Sequence, residues 1–402
     1  MPRAAPAAPG RRALVPFSLL SASYFAHIGF FNPYLPLWLQ SLGLSLVSIS
    51  LLTSVQAGTR ILAPYAWGVL SDHTGDRVRL LRWCAVSALI ASLGLWWQGG
   101  LVWLMVVLLV MFIHTSAMMP MSEAAMAHLV SHGGRFDAHQ YGRVRLWGSL
   151  GFLVTVLVAG AWFEHYGIGH FAGWTLLTLV AVVIATCLLP HMPEEAAERA
   201  AAAHTPVWPV LRQPVVLWFF TSAFFHVLAH MAVYVFFSLL LHEQGYSKST
   251  IGMLWALSVL VEIVWFFTQS RWLPALSLPG WLLLASVAMA LRMGMTATGY
   301  AWLGWLVLAQ ALHALTFAAH HTACIAMLSH YFPGRLRGRG QALYSVLGYG
   351  FPGLLGALAG GAVGSHWGLP AIFACASASS VVACVCTWQV LRKTRQTTSA
   401  AA

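Results

Sequence analysis

Charge is what this 402-residue chain has least of. Only 8% of its residues are Asp, Glu, Lys or Arg, 59% are apolar, and the mean hydropathy is +0.75. So few charges cannot clothe the surface of a water-soluble protein of this length. The strict apolar–polar alternation of a membrane β-barrel is also missing, since runs such as Val102 to Ile113 are apolar without interruption. The six cysteines (Cys84, Cys187, Cys324, Cys375, Cys384, Cys386) all fall in apolar segments with no paired spacing in loops. They read as small buried hydrophobes, not as disulfides or thiolate metal ligands. GxSxG, HExxH and paired helical aspartates are absent too, which removes the usual nucleophile–base or metal sets of a polytopic membrane enzyme. The expectation is a chain that is not an enzyme.

What the chain has instead is length in oil. Segments of about 20 mostly apolar residues, enough to span a bilayer, fall near 15–39, 47–70, 79–98, 101–127, 145–164, 169–190, 215–241, 248–270, 279–298, 300–328, 340–364 and 368–391. The expected fold is all-α and integral to the membrane, with twelve transmembrane helices in two pseudo-symmetric six-helix bundles. Arg3, Arg11 and Arg12 precede the first segment in the manner of a signal peptide. That segment runs too long, however, and contains Pro33 and Pro36, so it is read as a retained helix.

The formal net charge of +11 does not point to nucleic acid, because the basic residues sit in alternate loops and not on one face. They are Arg77, Arg79 and Arg82; Arg135, Arg143 and Arg145; Arg199 and Arg212; Arg271; Arg335, Arg337 and Arg339; and Arg392, Lys393 and Arg395. The opposite loops hold only Lys248. This positive-inside pattern places both termini in the cytoplasm, as an even helix count also requires. The expected organisation is a disordered cytoplasmic tail (1–14), an N-terminal bundle (15–190), a cytoplasmic central loop (191–214), a C-terminal bundle (215–391) and a cytoplasmic tail (392–402). The lipid bilayer and a small-molecule solute are the expected partners of a functional monomer in a bacterial inner membrane, with no nucleic acid and no cofactor beyond a coupling proton.

The two halves echo each other. Gly43-Leu44-Ser45 leads to Ile49 and Leu52, and Gly245-Tyr246-Ser247 leads to Ile251 and Leu254 at the same spacing. Gly142-Arg143 precedes Ser149 as Gly338-Arg339 precedes Ser345. Duplicated halves of this kind bind near the midplane and alternate their access by rocking.

A charge at the bilayer centre costs at least about 2.5–3.5 kcal/mol and is retained mainly beside a cavity or a partner. Arg60 in helix 2, Glu123 late in helix 4, Glu262 in helix 8 and Arg292 in helix 9 are such charges. Arg60 and Glu262 stand at equal spacing after Gly43 and Gly245, so opposite charges occupy equivalent places in the two halves. They serve either as interhelical ion pairs that fix register or as a relay in which Glu262 exchanges a proton under the influence of Arg292. His230 and His313 are further relay candidates. His226 and His230, one turn apart, could present two metal ligands, but no acidic cluster accompanies them and no metal site is expected. His320, His321 and His330 read as interfacial. Tyr24, Asn32, Tyr34, Trp38 and Tyr234 are candidates to line a cavity for a flat solute with one polar end. Pro33 and Pro36 with Asn32, and Pro352 between Gly350 and Gly353, are expected to interrupt helices 1 and 11.

The stretch Gly68-Val-Leu-Ser-Asp72-His-Thr-Gly75-Asp76-Arg77 resembles the signature loop of the major facilitator superfamily. Asp76 stands where that pattern more often has a basic residue. Pro33-Tyr-Leu-Pro36-Leu-Trp38, Tyr141-Gly-Arg-Val-Arg-Leu-Trp-Gly-Ser149, Leu254 to Glu262 and the His313 region look like the phenylpropionate permease branch, related to lactose-permease and nucleoside-proton symporters. The resemblance implies a cytoplasmic gate at Gly68, Asp72, Gly75 and Arg77, and polar permease positions at Glu262, Arg292, Glu123, Arg60, His230 and His313. It further implies proton-coupled import of a small organic solute such as an aromatic carboxylic acid. Nucleoside or sugar symport, and proton-coupled efflux, remain open on the same fold. Efflux has less in its favour, because exporters usually carry a Gly-Pro motif in helix 5 and an arginine in helix 4.

Overall fold

A computed structural model describes residues 14–97, 99–129, 131–132, 135–136, 138–190, 207–333 and 336–401. Within these it is a chain of helices. They are α1 (Val15–Ser41), α2 (Leu46–Thr74), α3 (Arg77–Ser92), α4 (Gly100–Ser116, resuming at Met118–Leu129), α5 (Ala138–Tyr166) and α6 (Phe171–Cys187). There follow α7 (Pro214–Met231, continuing to Phe237–Glu243), α8 (Lys248–Trp272), α9 (Leu278–Gly299), α10 (Leu303–Ala311, continuing to His320–Tyr331), α11 (Arg337–Ser345, continuing to Phe351–Trp367) and α12 (Leu369–Ala401). Eleven helical stretches among the described residues meet the length and hydropathy of a membrane span. α1, at 27 residues, is long enough to be the twelfth. A two-residue ribbon pairs Ser131–His132 with Arg135–Phe136.

The repeated Gly-x-Ser loops are the same device used twice. Gly43 and Gly245 have φ of +79° and +81°, a conformation open to glycine without strain. The Leu44 N–H donates to Leu39 O and the Tyr246 N–H to Leu241 O, which closes the ends of α1 and α7 in Schellman fashion. Two residues on, the Ser45 and Ser247 hydroxyls accept from the Ser48 and Thr250 N–H groups and start α2 and α8. Asp76 has a local explanation as well. Its carboxylate accepts the Arg79 N–H at 2.9 Å and caps α3, where negative charge suits the helix N-terminus.

Helix interruptions do not all follow the prolines. α1 runs unbroken through Pro33 and Pro36, contrary to the sequence expectation. α4 pauses at Ala117, because Pro120 has no N–H to give Ser116 O. In α11 the expected interruption takes the form of a π turn, Val346–Gly350, which ends two residues before Pro352. Two more π turns, Ala232–Phe236 in α7 and Ala314–Ala319 in α10, have no proline beside them. α12 continues past the expected limit of 391 to Ala401, since Arg392, Lys393, Arg395 and Gln396 are good helix formers and no glycine or proline intervenes.

The described residues pack as two compact units. The first lies within Met1–Phe31, Leu62–Thr155 and Ala172–Glu198, and the second within Asn32–Ile61, Val156–Phe171 and Arg199–Ala402. In the first, Phe17, Leu20, Leu81, Cys84, Met118, Met121 and Val182 form the core. Arg82 donates to the Thr186, Cys187 and Leu189 carbonyls, satisfying the C-terminal end of α6. In the second, Phe219, Phe220, Trp281, Ala323, Cys324, Phe332 and Val390 do the same for α7, α9, α10 and α12. Cys187 and Cys375 are exposed, unlike the buried Cys84, Cys324 and Cys386, so not all six cysteines are core.

Candidate functional site

The buried polar cluster lies wholly in the second unit and is built on α7, α8, α9 and α10. Its centre is Arg292, which is 0% exposed. A fully buried guanidinium is kept only if its N–H groups are satisfied. Nη1 donates to His313 Nδ1 at 3.0 Å and to Thr316 Oγ1 at 2.9 Å, and Nη2 donates to Gln310 Oε1 at 2.9 Å. Ser258 of α8 donates to the same Gln310 oxygen. All these acceptors are neutral. Among the described residues, Arg292 therefore touches no carboxylate directly.

The arginine also fixes a proton. Guanidinium has donors and no acceptor, so His313 Nδ1 must present its lone pair to Arg292. A neutral His313 then carries its hydrogen on Nε2, which points at Glu262 Oε2 at 3.4 Å. The result is a chain, Glu262–His313–Arg292, whose middle member is set to donate to the carboxylate on one side and accept from the guanidinium on the other. Glu262 keeps 20% of its side chain exposed, so it is the accessible end of a chain whose other end is sealed.

Aromatic rings cover the cluster. His230 stacks on Tyr234 at 4.7 Å, Tyr234 stacks on Trp255 at 6.2 Å, and His230 stands edge-on to His313 at 5.5 Å. Arg60, exposed on α2, acts electrostatically on Tyr234 and Tyr349, as does Glu262. Glu262, Arg292, Arg60, His230, His313 and Tyr234 are thus gathered in one region. Four buried polar atoms there have no hydrogen-bond partner: Arg292 Nε, Gln310 Nε2, His230 Nε2 and His226 Nδ1.

The other sequence candidates have partners of their own. Glu123 pairs with Arg145 in the first unit. Tyr24 donates to Thr115 O at 3.2 Å in the same unit. Tyr34 is fully buried, and its hydroxyl faces Val156 O and Lys248 O at 3.2 and 3.1 Å. Trp38 stacks on Phe171 at 5.0 Å, and Asn32 accepts from Gln56 at 3.1 Å. Of the loop motif, Gly75 has φ of +67°, Gly68 lies in α2 and Arg77 opens α3. The Asp72 side chain lies outside the described residues, as do residues 1–13 of the expected N-terminal tail and residues 191–206 of the expected central loop.

Sequence reasoning missed Gln310, Thr316 and Ser258, since uncharged polar residues in apolar helices are common and carry no signal of their own. His320 is a correction. It is buried and not interfacial, because α10 extends to Tyr331 and leaves it well inside the helix. A groove of about 680 Å³ lined by Leu291, Gly294, Thr298, Trp302, Trp305 and Ser377 is separate from the cluster and has no ionisable group in its lining.

The pattern of the MFS_1 like family matches residues 18–375. A probable 3-phenylpropionic acid transporter of Escherichia coli (strain K12) is 28% identical over 334 residues, covering 82% of this chain and 85% of that one. A maltose permease of Geobacillus stearothermophilus is 27% identical over 372 residues, 91% of each. The crystal structure of a mutant of the nucleoside transporter NupG superposes with a TM-score of 0.83 at 16% identity, over 94% of this chain and 99% of that one. Twelve apolar helices, a buried charge cluster and these likenesses lead to one conclusion: the chain is a multi-pass membrane transporter that belongs to the MFS_1 like family of the major facilitator superfamily.

Proposed function

We propose that the protein imports a small aromatic carboxylate, of the 3-phenylpropionate kind, together with a proton by alternating access. The observation that carries this is the Glu262–His313–Arg292 chain, in which a buried guanidinium has only neutral partners and reaches its carboxylate through one imidazole. While Glu262 is ionised, its charge offsets that of Arg292. When Glu262 takes a proton, the positive charges of Arg292 and Arg60 lose that offset, and a solute carboxylate restores it. Proton and anion therefore favour each other's binding. Exposed Arg60 is the group available to pair with the carboxylate. The stacked His230, Tyr234 and Trp255 rings are the surface suited to an aryl group. In this reading the chain works as a monomer in a bacterial cytoplasmic membrane with both termini inside, two six-helix bundles move about the bound solute, and the loop from Gly68 to Arg77 gates the inner side.

The deciding experiment is uptake of labelled 3-phenylpropionate by proteoliposomes with acid outside, beside maltose in parallel vesicles. Accumulation of the acid that collapses with a protonophore supports the proposal. Accumulation of maltose alone moves the substrate to sugars, and loss of preloaded acid from the vesicles against its gradient makes the protein an exporter.

A further inference from the structure

One buried basic group has no part in the chain above. His226 of α7 and His320 of α10 lie face to face, their ring centroids 3.7 Å apart and their planes within 3° of parallel. Both are buried. His226 Nε2 is 2.7 Å from the Thr316 carbonyl oxygen. A carbonyl only accepts, so Nε2 carries the hydrogen and Nδ1 is a bare lone pair. That lone pair is buried and has no hydrogen-bond partner, an arrangement normally avoided in protein interiors. Both ring nitrogens of His320 are 3.7 Å from Cys324 Sγ.

We propose that the His226–His320 stack is a second proton-binding site of this transporter, taking one proton at His226 Nδ1 and holding it over the His320 ring. An imidazolium over a neutral ring is attracted to its π face. Two imidazolium ions at this separation repel, so the pair holds one proton and not two. The groups that face the stack are His230 on α7, Arg292 on α9, and His321 and Cys324 on α10, with Tyr344 of α11 against Cys324. Arg292 opposes a proton here, and none of the other facing groups is a carboxylate that would offset it. Thr316 joins the two sites, since its hydroxyl accepts from Arg292 and its carbonyl from His226. An anion that offsets Arg292 thereby favours protonation of the stack. This coupling rests on the functional reading above, but the existence of the site does not.

The test is nitrogen NMR of the purified protein, ring-labelled at histidine, in phospholipid nanodiscs between about pH 8 and pH 5. The His226→Gln variant keeps a donor for Thr316 O but removes the base, and His320→Phe keeps a stacked ring without nitrogen. Signals that each variant removes identify the pair. The expected result is one imidazolium gained by the pair as pH falls, and a His320 that stays neutral throughout in His226→Gln. Two neutral rings down to pH 5, or two rings that both become charged, would overturn the site. If one variant does not fold, the wild-type titration against the other variant decides by the same criterion. Wild-type protein that shows the shared proton yet accumulates no 3-phenylpropionate keeps the site and removes the functional reading; accumulation with a neutral pair does the reverse.

Discussion

At the scale of the residue, the protein solves a problem of unequal partners. Arg292 offers a planar fork of donors and finds three neutral acceptors around it, a geometry lysine cannot reproduce with a single ammonium. Arg292→Lys is expected to lower stability by about 2 kcal/mol, because buried acceptors are left unmet, and the measurement is thermal unfolding of the purified variant. Glu262→Gln is expected to abolish accumulation driven by a pH gradient while exchange of solute across the membrane persists. The amide keeps the size of the acid but can no longer take up and release a proton at physiological pH. Full accumulation by this variant would remove Glu262 as the proton carrier.

At the scale of the element, close approach of helices in the second unit depends on glycine. A Cβ at Gly160 of α5 would lie 2.5 Å from Tyr34 Oη and 2.9 Å from Lys248 O. One at Gly252 of α8 would lie 2.7 Å from Tyr34 Oη and 2.8 Å from Val156 O. The Tyr34 hydroxyl thus occupies the space between the two glycines, while Glu164 Oε2 accepts the Lys248 N–H at 2.6 Å where α8 begins. Tyr34→Phe is expected to cost about 1 kcal/mol, the loss of one net hydrogen bond. Gly252→Val should cost more, about 1–3 kcal/mol, because backbone oxygen cannot move aside as a side chain can. Thermal melts of both variants check the order, and a Gly252→Val protein as stable as wild type would contradict the packing. α2 and α11 approach in the same way. A Cβ at Gly361 would collide with Ser50 Oγ, so Gly361→Ala is expected to destabilise the protein and Ser50→Gly to recover most of that loss, a coupling read by a double-mutant cycle.

At the scale of the whole molecule, the proposed coupling has an electrical consequence. When the Glu262 proton alone travels with one monocarboxylate, and the proton of the His226–His320 stack stays in place, no net charge moves, so the membrane potential, which supplies about 2.3 kcal/mol per charge per 100 mV, does no work on the cycle. Uptake of 3-phenylpropionate should respond to a pH gradient and stay unchanged when a potassium diffusion potential is imposed at constant pH. A transient current on solid-supported membranes during solute addition would show instead that more than one proton accompanies each anion.

The sequence by itself determined the twelve helices, because crossing a bilayer demands long apolar runs that nothing else in the chain could disguise. It also determined the paired Gly-x-Ser loops, since a left-handed glycine and a serine cap are local chemistry, written within a few residues of where they act. Glu262, Arg292, Arg60, His230 and His313 were legible for a related reason: ionisable groups in oil are conspicuous at any position. Only the tertiary structure decided which of these groups meet, bringing Glu262, His313 and Arg292 into one chain and giving Glu123 to Arg145 instead. It alone brought in Gln310, Thr316 and Ser258, and set His320 against His226 across two helices. Such partnerships depend on the rotation and depth at which helices pack. Those are fixed by small residues and backbone contacts between segments far apart in the chain, which no local pattern of residues encodes.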